Sequence, residues 1–401
     1  MKFLIFTTMC LQILNSYANF TQSALVKVRD EDRDIVSENV LLKELDDQNK
    51  LSGKFFTVVD SNTNNPLLIN VEDEISRSLR GTTAYYHLTK AKDYFESIGV
   101  VQSEPLLVRI GVRNKFHKSV HMMDISHGEV FNNAHTINSG LALKSRYKNV
   151  EAWGKEIWFR SPKEIEISDT FKTQYKEAVR SILPNSRPLS KDFIFSNAVN
   201  SLISSNPSEY LKGSTKGVLQ NYATNMLLRF IIPEVSLFML PGYKLLDTAL
   251  IPEIIYHEYT HFVFSDKIPT VENTPILEGI SDYFGTKISG SSRVVDNLDD
   301  YGSLVKVRDS RSRILYEPRY DSGKKEDLGS GAGFVLAVLT SLEDFISSEE
   351  VDPDFFAKAI YNIRNHVNVN SKIQKDLANS LVKVLPNYRR SIISILSNYG
   401  L

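Results

Sequence analysis

Two histidines four residues apart, with a glutamate between them, sit in the middle of an apolar run. The run reads Ile254-Ile255-Tyr256-His257-Glu258-Tyr259-Thr260-His261-Phe262-Val263. On a helix, residues four apart share one face, so both imidazoles can address a single point. Glu258 lies one position round from His257, close to any water held at that point. The apolar neighbours support a helix over about 250–264. The plain alternative is a pair of packed or hydrogen-bonded histidines.

Composition limits what else can join them. The 401 residues contain one cysteine, Cys10, which excludes a disulfide framework, a cysteine zinc ribbon and an iron–sulfur site. Any bound metal must be held by His, Asp and Glu. Two histidines leave a tetrahedral catalytic Zn²⁺ one protein ligand short. Glu278 follows His261 by 17 residues on a second helix predicted over 275–288. It is the candidate third ligand, with the fourth position left for water. Asp282, one turn later, shares a face with Glu278 and can accept the free N–H of a ligand histidine. Glu258 is then the general base, and the implied reaction is hydrolysis by a metal-activated water.

Apolar residues make up 42% and charged residues 24%, ordinary for a globular chain. Lys+Arg is 47 against Asp+Glu 48, so no basic field argues for nucleic acid. The first residues read as a secretory signal peptide over 1–18. Met1-Lys2 is the basic start, Phe3 to Leu14 the apolar run, and Ser16-Tyr17-Ala18 the cleavage site. Its removal takes Cys10 with it and implies a secreted or periplasmic location. No later segment reaches 18 uncharged apolar residues, so no membrane span is expected.

The rest of the chain divides in two. Residues 19–50 are polar and charged and read as a solvated lead-in. Phe55 to Val59 and Leu67 to Val71 flank Ser61-Asn62-Thr63-Asn64-Asn65-Pro66 and read as a hairpin. A helix is expected over Thr83 to Ile98, ended by Gly99, and strands over Leu106 to Val112 and Glu156 to Phe159. Residues 163–249 read as a helical insertion. Helices are expected over Gly329 to Phe345, Asp354 to Asn365 and Ile373 to Leu385. The expected class is α+β, with a β-containing lobe over 19–249 and a helical lobe over 250–401. His117, His121, His127 and His135 invite a second metal site, but no helical period runs through them and ordinary histidines are favoured.

At the metal residues a resemblance appears. His257-Glu258-Tyr259-Thr260-His261, followed by Leu277-Glu278-Gly279-Ile280-Ser281-Asp282-Tyr283-Phe284-Gly285-Thr286, resembles the thermolysin-like zinc metallopeptidases, the gluzincins. The likeness covers about 80–135 and 250–401. It implies a two-lobed fold with the zinc helix between the lobes, one catalytic Zn²⁺, and a peptide or protein substrate cleaved by a monomer. Asn133 and Ala134 resemble the family's edge-strand pair that holds the substrate backbone, although a plain turn fits them as well. Glu253 resembles part of the family's Ca²⁺ site, but one carboxylate is too few for calcium.

The sequence departs from that pattern in several places. The 163–249 segment has no counterpart, and the spacing from His261 to Glu278 is short. The family's Tyr between the zinc helices and its later His, both of which stabilise the oxyanion, are missing. Asp327 stands where the His would fall, and Leu277 where an Asn often precedes the glutamate ligand. Tyr316 and Tyr320 are the candidate replacements. Losing one oxyanion donor typically costs about 10²–10³ in turnover, so a slower enzyme is expected before an inactive one. A catalytically impaired zinc- or peptide-binding protein on the same fold is the alternative.

Overall fold

The computed structural model describes residues 20–61, 63–69, 75–111, 134–137, 155–159, 247–265, 274–294, 309–322, 325–350, 352–368 and 370–401. The expected leader 1–18, Asn133, residues 163–246 of the expected insertion, and His117, His121 and His127 lie outside them.

Strands β1 (Phe20–Arg29) and β2 (Ile35–Leu45) form an antiparallel pair. The stretch expected as a solvated lead-in is therefore a hairpin. Its run of charges falls at the turn, where Asp30 Oδ1 accepts from the Asp34 amide at 2.8 Å. Ala24, Val26 and Val28 alternate into the core, the period of a half-buried strand.

The outer edge of β1 is sealed by helix α1 (Ile75–Ser97), which begins eight residues before the expected Thr83. Thr82 Oγ1 donates to Leu25 O at 2.6 Å, and the Lys27 amide donates to Thr83 Oγ1 at 3.0 Å. His87 Nε2 meets Lys27 O at 2.7 Å. Three side chains of one helix thus occupy backbone groups that an exposed edge would leave open. Gly99, at φ 93°, takes the left-handed conformation that ends α1.

A second sheet contains β3 (Phe56–Asp60), β4 (Leu106–Ile110), β5 (Ala134–Ile137) and β6 (Glu156–Phe159) in the order β3-β4-β6-β5. The first three are parallel, and β5 runs antiparallel along the edge. The expected hairpin over 55–71 is only partly formed. The chain turns back at Asn64, but the second arm makes isolated bridges, Val59 with Pro66 and Lys50 with Leu68. Pro66 has no N–H to extend a ladder there, and β3 takes its full register from β4 instead.

The remainder is helical: α2 (Pro252–Phe264), α3 (Pro275–Ser289), α4 (Lys325–Ser347), α5 (Phe355–Asn362), α6 (Ala378–Val384) and α7 (Arg389–Asn398). The expected helices lie close to these bounds. The one expected over 373–385 opens with a π turn at Ile373–Leu377. Gly329–Ser347, within α4, is long and apolar enough to cross a membrane, but Phe334, Leu336, Leu339, Leu342 and Ile346 are fully buried in the protein core. The described residues form an α+β structure with one continuous hydrophobic core.

Two glycines of α3 set the depth of the helix packing. A Cβ on Gly285 would stand 3.0 Å from Glu253 O, and one on Gly279 would stand 2.5 Å from Val335 Cβ. Hydrogen at these positions lets α3 lie close to α2 on one side and α4 on the other. Glu278 and Asp282 are thereby brought against α2.

Candidate metal centre

Helix α2 starts cleanly because Ile251 is extended and Pro252 occupies the first helical position. Twelve of its 13 residues are buried, the ionisable Glu253, His257, Glu258 and His261 among them. Helix α3 is capped by Thr274 Oγ1, which accepts from the Leu277 amide at 3.3 Å, and it ends at Gly290 with φ 70°.

The crossing of α2 and α3 converges three ligand atoms. His257 Nε2 and His261 Nε2 lie 3.0 Å apart. Glu278 offers one oxygen to each, Oε2 at 3.5 Å from His257 and Oε1 at 3.3 Å from His261. A tetrahedral ion bonded at about 2.0–2.1 Å sets its ligand atoms about 3.3 Å apart. The buried His257, His261 and Glu278 set can therefore hold a metal ion.

Asp282, fully buried, fixes the direction of the first histidine. Its Oδ1 stands 2.8 Å from His257 Nδ1. A carboxylate there accepts the Nδ1 proton, which leaves Nε2 as the nitrogen whose lone pair would face a bound ion. Burial is the strongest single influence on His257 and opposes its charged form. Hydrogen bonds to Asp282 and Glu278, with their charges, outweigh it and raise the imidazole to about 10. Burial likewise opposes the charged Glu278, yet hydrogen bonds from His257 and His261 hold it well below the usual carboxylate range. Two buried carboxylates demand a cation at this spot, either a proton on His257 or a metal ion.

Glu258 is buried beside them. Its carboxyl group receives a hydrogen bond that the sequence reading did not anticipate, from Thr136 on β5. Thr136 Oγ1 is 2.9 Å from Glu258 Oε2 and 2.7 Å from Glu258 O. No short-range signal marks Thr136, because its partner is 122 residues away. Ala134 pairs with Phe159 on the same edge strand, so this member of the proposed substrate pair is in a strand and not a plain turn.

The other expected residues have different engagements. Both oxygens of Glu253, weighed above for calcium, accept from Arg29, Oε1 from Nε at 3.0 Å and Oε2 from Nη2 at 3.1 Å. Tyr316 donates its hydroxyl to Asp321 at 2.9 Å and Tyr320 to Glu317 at 3.1 Å. Both candidate oxyanion donors are thus tied to carboxylates of their own segment.

No family model, curated protein or solved structure matches the chain. The geometry of the site has to carry the functional argument.

Behind the metal face, α2 is braced by a second set of polar contacts. Burial holds His87 down to about 3, so its ring is neutral. Lys27 O can only accept, so His87 Nε2 donates to it, and Nδ1 accepts from Tyr256 OH at 2.6 Å. Tyr256 precedes the first candidate ligand, and this bond fixes its turn of the helix against α1 and β1.

Proposed function

We propose that this protein is a secreted, zinc-dependent peptidase of the thermolysin-like type. In this reading two lobes flank the cleft, and α2 runs through its base. The observation that carries it is the buried convergence of His257, His261 and Glu278 at 3.0–3.5 Å, with Glu258 next to a ligand on the same helix. Two imidazoles and one carboxylate are the protein donor set of a catalytic zinc, whose fourth position would take a water.

Zinc bound there would lower the pKa of a water and polarise a peptide carbonyl. His257, His261 and Glu278 would hold the ion, and Asp282 would keep His257 oriented. Glu258 would accept a proton from the attacking water and deliver it to the departing amine nitrogen. Ala134, on the edge strand β5, would align an extended peptide by its backbone.

The test compares wild type with Glu258→Gln, using metal analysis and an unbiased peptide-cleavage profile. We expect stoichiometric zinc in both and hydrolysis only in wild type. Wild-type protein that carries zinc yet cleaves nothing across a broad library would sink the proposal. That outcome would favour a zinc-dependent peptide-binding protein instead, a reading supported by the engaged hydroxyls of Tyr316 and Tyr320.

A further inference from the structure

A general base must present its oxygen in a fixed direction, and a glutamate on a helix has three rotatable bonds to restrain. Among the described residues, one side chain hydrogen-bonds the Glu258 carboxyl group: Thr136, through Oε2. The same hydroxyl lies 2.7 Å from the Glu258 main-chain oxygen. A hydroxyl has one proton to donate, so it is shared between the two acceptors or moves between them. Either way the carboxyl group is drawn back toward its own helix backbone.

The carrier of this hydroxyl is well suited to hold it still. Thr136 sits in β5, with its backbone in register with Ile157 of β6. Its β-branched side chain has restricted χ1 freedom. Strand-borne groups are held more firmly than loop-borne ones.

We propose that Thr136 is a positioning residue for Glu258, and that its hydroxyl holds Oε2 so that Oε1 is the atom that takes the proton. This rests on the peptidase reading for its catalytic consequence but not for its structural one. A bare docking contact between β5 and α2 would need only the bond to the main-chain oxygen. The second bond, to the side chain, distinguishes the two roles.

The experiment uses Thr136→Val, which keeps the shape and removes the hydroxyl, and Thr136→Ser, which keeps the hydroxyl. Zinc-loaded Thr136→Val should retain stoichiometric metal and lose about 10- to 100-fold in kcat with little change in KM. Thr136→Ser should restore most of that loss. A second readout does not need turnover: the visible absorption band of the Co²⁺-loaded protein. Thr136→Val and Glu258→Gln should shift this band in the same direction, and Thr136→Ser should leave it in place. In a Glu258→Gln background, Thr136→Val should move the band no further.

If wild type cleaves nothing but the cobalt band behaves this way, the peptidase reading fails and the positioning of Glu258 stands. If Thr136→Val leaves both kcat and the band as in wild type, the positioning proposal is overturned. The same holds if the band shift persists undiminished without the Glu258 carboxylate. Should Thr136→Val not fold, Thr136→Ala removes the same hydroxyl and is read by the same two measurements.

Discussion

Neighbouring positions of α2 handle buried polarity in opposite ways. Glu253 is closed off by Arg29 and Tyr256 by His87, so donors and acceptors are matched inside the protein. His257, His261 and Glu278 instead turn their nitrogen and oxygen atoms toward a common point, with Asp282 behind them. A matched set needs nothing further and serves stability. A converging set of imidazoles and buried carboxylates needs a cation, either a proton on His257 or a metal ion, to balance it. Burial alone would not separate these groups, since all are buried.

The comparison can be broken at its matched set first. Replacing Glu253 by Ala removes the carboxylate that faces the Arg29 guanidinium. The pair is nearly dry, with side-chain exposures of 7% and 0%. Breaking such a pair costs about 3–5 kcal/mol, which denaturant unfolding would measure. Metal bound per folded molecule should stay stoichiometric. If the metal is lost while stability is kept, the division between bracing set and metal set is wrong.

A smaller effect is expected at the converging set. Asp282→Asn keeps an acceptor near His257 Nδ1 but removes the charge behind it. Zinc affinity should fall about 10- to 100-fold, measured by competition with a chelator. An unchanged affinity would mean that Asp282 does not tune the ligand.

The third prediction sharpens the contrast through pH. His257 in the metal-free protein is raised from 6.5 to about 10. Its contribution to stability is therefore complete below about pH 6.5 and is lost as pH rises through about 10. A metal-bound imidazole must be neutral, so metal-loaded protein should lack this part of the slope. Thermal unfolding of both forms between pH 6 and 10 checks it, and parallel curves would count against it.

The same contrast explains what could be read from the sequence. The convergence of His257, His261 and Glu278, a set that could hold a metal ion, was legible because i,i+4 spacing is local to α2 and Glu278 and Asp282 repeat it on α3. Strands β4 and β6 were legible as short apolar runs. The hairpin of β1 and β2 was not, because the charges of Arg29 to Asp34 masked the alternation of Ala24, Val26 and Val28. The arms around Asn64 suggested local pairing, but β3 pairs with a strand some 50 residues later. Arg29, His87 and Thr136 were missed for one reason. Each acts on α2 from a distant part of the chain, and a single sequence carries no mark of such a meeting.

The Arg29–Glu253 contact also bears on the order of assembly. Its partners are 224 residues apart, and closing such a loop carries a large entropic cost. A 13-residue helix is marginal in isolation, so α2 depends on these late contacts to stand. The spacing of the candidate ligand atoms therefore depends on the first strands of the chain meeting the middle of it. A metal ion bound there would act as a latch on the folded chain.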